Sequence, residues 1–173
     1  MSIFHEHQAP SPQELDIMVF INIKKTLKNN SLQGSAFMMD NNPNSEGEGS
    51  IALRSFATLG QTINWSIHPL TMSGSDQAWY QNGDCSVSIH RILFEDAQIV
   101  NLDEYDSGRD QQIKATQSIS HLSGNISNKK QLVGKYRYRL QLKIQSKSKR
   151  FAPKYFVLTS ATLAIAEQKQ QAA

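Results

Sequence analysis

Residues 135–145 read Lys-Tyr-Arg-Tyr-Arg-Leu-Gln-Leu-Lys-Ile-Gln, an unbroken alternation. Tyr136, Tyr138, Leu140, Leu142 and Ile144 fall in one phase, and Lys135, Arg137, Arg139, Gln141, Lys143 and Gln145 in the other. Successive side chains of a strand point to opposite faces, so this stretch predicts a strand with one dry face and one wet, cationic face. Wound as a helix, the same residues would scatter their apolar groups around the whole circumference. A strand this one-sided needs a second layer over its dry face.

The neighbouring segments supply candidates for that layer. Asp16–Ile23 is a short apolar run rich in β-branched residues, and Gly34–Asp40 reads as a second strand, with a helical turn over Lys24–Asn30 between them. Asn41–Ser50 is rich in Asn, Pro and Gly and reads as a loop. Ile51–Ala57 and Thr62–His68 alternate on either side of Leu59-Gly60-Gln61, which predicts a hairpin. Cys85–Phe94 is a strand whose phase slips at His90-Arg91, where a bulge is expected. Ala97–Leu102 and Gln112–His121 are weaker strand candidates, Ser123–Lys130 reads as a polar turn, and Tyr155–Ile165 as a last long strand. The count is about eight or nine strands, with no long segment of helical period. We expect an all-β fold: a jelly-roll-like sandwich of two antiparallel sheets spanning residues 16–166. Residues 1–15 are expected to be a flexible leading segment, and 167–173 a polar tail.

Composition sets bounds. A chain of 173 residues can bury about 70% of its unfolded surface, so the core needs no staples. The one cysteine, Cys85, precludes an intrachain disulfide and fits a reducing compartment. No apolar run approaches the ~18 residues of a membrane span. The first residues carry neither a basic nor an apolar signal region, so a cytoplasmic protein without a membrane partner is expected. The net charge of +3 conceals two blocks. Residues 1–110 hold six Lys/Arg and fourteen Asp/Glu, whereas 111–166 hold eleven Lys/Arg and no acid. Such blocks can mark an anionic partner or the meeting of oppositely charged surfaces. Nucleic acid is not the expected partner, because aromatic residues do not clearly interleave on the basic face.

Catalytic and cofactor motifs are missing. There is no Gly-x-Ser-x-Gly elbow and no phosphate-cradling glycine loop, so neither an enzyme nor a cofactor is expected. Cys85 has no base placed beside it by sequence and reads as a small buried hydrophobe. His5-Glu6-His7 sits in a segment expected to be solvated, and His68, His90 and His121 lack ligand spacing, so no metal site is expected. The acidic run Asp103–Asp110 lacks the alternating pattern of a calcium loop. The most suggestive stretch is 71–84. There Trp79 and Tyr80 lie beside Asp76, Gln77 and Asn82, an apolar platform with amide and carboxylate partners of the kind a sugar requires. The competing reading is a Trp79 that plugs one end of the sandwich.

Several segments in order resemble the AidA/PixA inclusion-body protein family: Asp16–Ile21, Phe37-Met38-Met39, Gly49–Leu53, Leu59–Trp65, and the paired strands Tyr136–Ile144 and Tyr155–Ile165. Gln61 stands where that family has Asp in a Gly-Asp-x-Ile-x-Trp element, and Val157–Ser160 replaces its usual Asp-Pro-containing stretch. The resemblance implies a bacterial β-sandwich with no known enzymatic activity, gathered into intracellular inclusions by animal-associated bacteria. The expectation is therefore a non-enzymatic protein that self-associates into a homo-oligomer or higher assembly. The alternative is a lectin-like module binding a glycan through residues 71–84.

Overall fold

Leu15, Ile17, Val19 and Ile21 are buried along one side of β1 (Glu14–Ile21), while Asp16, Met18 and Phe20 lie half-buried on the other. The apolar run thus faces one core, not two. The computed structural model describes residues 13–70, 85–94, 100–102, 121–126 and 129–167, with the side chains of 100–102 excepted. A short helix, α1 (Ile23–Asn29), follows β1. Asn22 caps it by accepting a hydrogen bond from the Lys25 amide at 2.9 Å. Asn30, at φ 49°, closes it by donating its N–H to the Thr26 carbonyl. β2 (Ala36–Asp40) then returns antiparallel to β1.

β3 (Arg54–Thr58) and β4 (Thr62–Pro69) do not form the expected hairpin. β4 lies parallel to β1, whereas β3 lies parallel to β10 (Thr162–Ala166) in the other layer. Leu59–Gln61 is a corner between sheets. Gly60 takes φ 76°, and the buried Gln61 side chain accepts from the Thr58 N–H at 2.9 Å. The Leu59 and Gly60 N–H groups donate to the carbonyls of Ala166 and Ile126, one in each layer, which anchors the corner to both. The acceptor required at position 61 is a side-chain oxygen, and Gln supplies it as Asp could.

The remaining strands are β5 (Cys85–Phe94), β6 (Val100–Leu102), β7 (His121–Ile126), β8 (Gly134–Ser146) and β9 (Lys154–Leu158). One sheet runs β2-β1-β4-β7-β6; the other runs β3-β10-β8-β5, with β9 paired to β8. The two-layer, all-β sandwich expected from the sequence is the observed architecture. The sheets are mixed, however, and the pairs β1–β4 and β3–β10 run parallel where antiparallel partners were expected. Parallel neighbours need a long connection, and the corner at Gly60 supplies part of it by sending the chain from one layer to the other.

Ten strands are present among the described residues, and Tyr155–Ile165 contributes two of them. β9 and β10 pair with successive parts of β8, and Thr159–Ala161 oppose only Tyr138 and Arg139, so the extra residue breaks the strand. β7 occupies part of the stretch read as a polar turn. Ser123 and Asn125 are turn formers by type, but they lie on its outward side while Leu122 and Ile126 are buried. The rest of the strand expected over Gln112–His121 lies outside the described residues.

Trp65 lies at the centre of the core with no exposed surface. It projects from β4 and meets Phe94 and Tyr138 of the facing sheet, with ring centroids 6.1 and 6.3 Å away. Burial pushes the Tyr138 hydroxyl pKa well above the usual tyrosine value, so it stays neutral. The Trp65 indole opposes that rise, yet neither the hydroxyl nor the indole N–H reaches a hydrogen-bond partner among the described residues.

Candidate functional site

The strands of the second sheet, β3, β5, β8, β9 and β10, contain seven Lys/Arg and no Asp or Glu. The first sheet is the reverse: its strands contain Glu14, Asp16 and Asp40 and no Lys or Arg. Charge in the described strands is sorted by layer.

The outer face of the second sheet is built from β8 outward. Because Tyr138, Leu140, Leu142 and Ile144 fill the core, Lys135, Arg137, Arg139 and Lys143 must face away from it. On β5 the expected bulge is present: pairing with β8 shifts between Ile89 and Arg91. The extra residue puts His90 and Arg91 together on the outer side and returns Ile92 to the core, where it is fully buried. On β9, Tyr155 lies opposite Lys143 and Val157 opposite Gln141. Their relative exposures, 47% and 44%, are high for such side chains.

β5 and β9 flank β8 on opposite sides, and the His90 and Tyr155 rings meet across it, with centroids 4.7 Å apart and planes inclined at 55°. The result is an aromatic pair beside Arg91 and Lys143, with Arg139 further along the same face of β8. Burial first, and then the charges of Arg91 and Lys143, lower the His90 pKa, which favours the neutral ring. Among the described residues no carboxylate pairs with Arg91, Arg139 or Lys143. Arg54 differs: it meets Glu46 at 2.9 Å and lies 5.0 Å from the centre of the Phe56 ring.

On the outer face of the first sheet the carboxylates are already engaged. Asn64 donates to Glu14 at 3.0 Å and to Asp16 at 2.8 Å, and accepts from Ser123 at 2.6 Å. His68 stacks on Phe20 at 5.1 Å and lies 2.8 Å from the Ser66 hydroxyl, while His121 lies 3.2 Å from that of Ser123. His68 and His121 therefore share one face of the sandwich, and His90 is on the other. Among the described residues no three His, Cys, Asp or Glu side chains are grouped to hold a metal ion.

The sequence profile of the family described as Domain of unknown function (DUF8788) matches residues 13–150. The chain belongs to the DUF8788 family. No curated protein sequence matches it. Among solved structures, the crystal structure of inclusion body protein PixA from Burkholderia cenocepacia J2315 is similar, with a TM-score of 0.55 at 15% identity. The alignment covers 95% of this chain and 100% of that one. The fold resemblance to PixA read from the short motifs is thus present in three dimensions.

The DUF8788 match takes in β1 through β8 and ends before β9 and β10, so Tyr155 lies beyond it. The proposed sugar platform, Asp76, Gln77, Trp79, Tyr80 and Asn82, lies outside the described residues, as do His5-Glu6-His7 and Asp103–Asp110. Cys85 is buried at the start of β5. Sequence reading missed the pairing of His90 with Tyr155, which are far apart in the chain and meet only because β8 lies between them. The phase slip at His90 was the one available signal.

Proposed function

We propose that this member of DUF8788 is a non-enzymatic, self-associating protein of the inclusion-body type. The observation that carries the reading is the sorting of charge by layer in a fold like that of PixA. A surface whose described strands carry many cations and no carboxylate repels its own copy and attracts an acidic one. Residues 1–110 carry fourteen Asp/Glu, so a second copy supplies such a partner. A contact between unlike faces of identical molecules is heterologous, and where it does not close into a ring it continues into an open assembly. Exposed Tyr155 and Val157 on β9 add apolar area to the cationic surface.

Exposed charges are screened beyond about 8–10 Å at ordinary ionic strength, so such an assembly weakens with salt. Light scattering of the purified chain over a sodium chloride series tests this. Large particles at low salt that dissociate as salt rises are expected. A monomer at every salt concentration would overturn self-association, and particles indifferent to salt would overturn its electrostatic origin.

A further inference from the structure

The aromatic residues missing from the cationic face of β8 are supplied by its neighbours. His90 from β5 and Tyr155 from β9 meet across β8, with Arg91 and Lys143 next to them and Arg139 further along the same face. We infer that this outer face binds single-stranded nucleic acid, with a base stacked on Tyr155 and phosphates on the cations of β8 and β5.

Three features favour that ligand. Tyr155 is 47% exposed although His90 packs against it, so much of its surface remains open to a base. Lys135, Arg137 and Arg139 recur at every second residue, about 6.8 Å apart along a strand, and Lys143 extends the row after Gln141. Such a row suits a linear polyanion with regularly repeated charge. Arg91, Arg139 and Lys143 have no carboxylate partner among the described residues, so among those residues phosphate displaces no ion pair at these cations. A duplex suits the face less well. Its bases are already stacked on one another, and its grooves are read by a protruding helix or ribbon, whereas this is the broad side of a sheet.

The inference concerns the same cations as the self-association reading but does not depend on it. The test is fluorescence anisotropy of a 5′-fluorescein-labelled oligothymidylate of twenty nucleotides, titrated with the full chain, with light scattering recorded in parallel. Binding is expected to weaken with salt, with a log–log slope of roughly −2 to −3 if three or four phosphates are neutralised. Tyr155→Ala should weaken binding about tenfold, the scale of one lost stacked base. Arg139→Gln with Lys143→Gln should weaken it about tenfold and flatten the salt slope. Unchanged thermal unfolding establishes that each variant is folded, and Tyr155→Leu, which keeps apolar bulk without the ring, provides a second aromatic test.

Failure to bind the oligonucleotide overturns the inference. So does equal affinity for the duplex of the same length. Loss in the charge variants with none in either Tyr155 variant, or tighter binding of heparin than of oligothymidylate, would assign the face to polyanions without stacking. Assembly retained without nucleic-acid binding overturns this inference alone; nucleic-acid binding by a chain that stays monomeric overturns the self-association reading alone.

Discussion

Trp65 and Tyr138 are the two largest side chains at the centre of the core, and each holds a polar atom with no hydrogen-bond partner among the described residues. Trp65 fills the space between the sheets, and its truncation to Ala is expected to cost about 3–5 kcal/mol through lost burial and the cavity left behind. Tyr138 is equally buried, and its hydroxyl has no partner among the described residues. Tyr138→Phe keeps the ring and removes an unsatisfied donor, so it should be neutral or stabilise the fold by up to about 1 kcal/mol. Urea denaturation measures both. A loss above about 2 kcal/mol in the Phe variant would show that the hydroxyl is hydrogen-bonded, as to an ordered water. His90 gives a pH-dependent expectation. Its pKa is lowered from 6.5 by burial and by Arg91 and Lys143, so the unfolded chain binds a proton more readily than the folded one. Stability is unaffected by this group well above pH 6.5 and falls as pH drops through that value towards the folded pKa. His90→Gln should flatten that part of the stability–pH curve, measured by thermal unfolding between pH 7.5 and 5; an unchanged slope would assign the loss to other groups.

At the scale of the element, β8 decides most. Its two faces were legible in eleven residues because a period of two leaves each side chain only one side to take. Leu140→Asp places an unpaired charge in the core and should abolish cooperative unfolding, while Arg139→Asp on the outer side should leave the midpoint nearly unchanged. Circular dichroism melts of the two variants distinguish them, and a wild-type melt for Leu140→Asp would reverse the assignment of faces. The bulge at His90 was legible too, as a slip of phase in Cys85–Phe94. The corner at Leu59–Gln61 was not. A Gly-containing connection between alternating strands is the signature of a hairpin, and nothing local reveals that Leu59 and Gly60 donate to carbonyls of different layers. β7 was missed because Ser123, Gly124 and Asn125 are turn formers by type, and only their pairing with β4 and β6 makes them a strand.

At the scale of the molecule, the second sheet depends on the end of the chain. β10 lies between β3 and β8, so the region matched by the DUF8788 profile does not contain the whole layer. Removing residues 151–173 would take away four large buried side chains, Phe156, Leu158, Leu163 and Ile165. Burial of such side chains is worth about 1.5–3 kcal/mol each, a sum comparable with the whole stability of about 5–15 kcal/mol typical of a domain. A chain ending at Arg150 is therefore expected to show no cooperative urea transition. A transition like that of the full chain would mean that β10 is not an interior strand.

What the amino-acid order determined by itself was the class of fold and the faces of its strands. Alternation acts through a single residue's geometry and needs no distant partner, so Tyr136–Ile144 and Thr62–Ile67 could each be oriented from sequence alone, whereas the uniformly apolar run before α1 could not. The excess of cations after residue 110 was equally plain, as composition. Only the tertiary structure decided which strands are neighbours. It separated the acids and bases of the described strands into different sheets, ran β1 beside β4 and β3 beside β10, and carried His90 to Tyr155 across β8. Those outcomes depend on pairings between residues far apart in the chain. Their favourable energy appears only after the chain has closed long loops, so no short stretch of sequence records them.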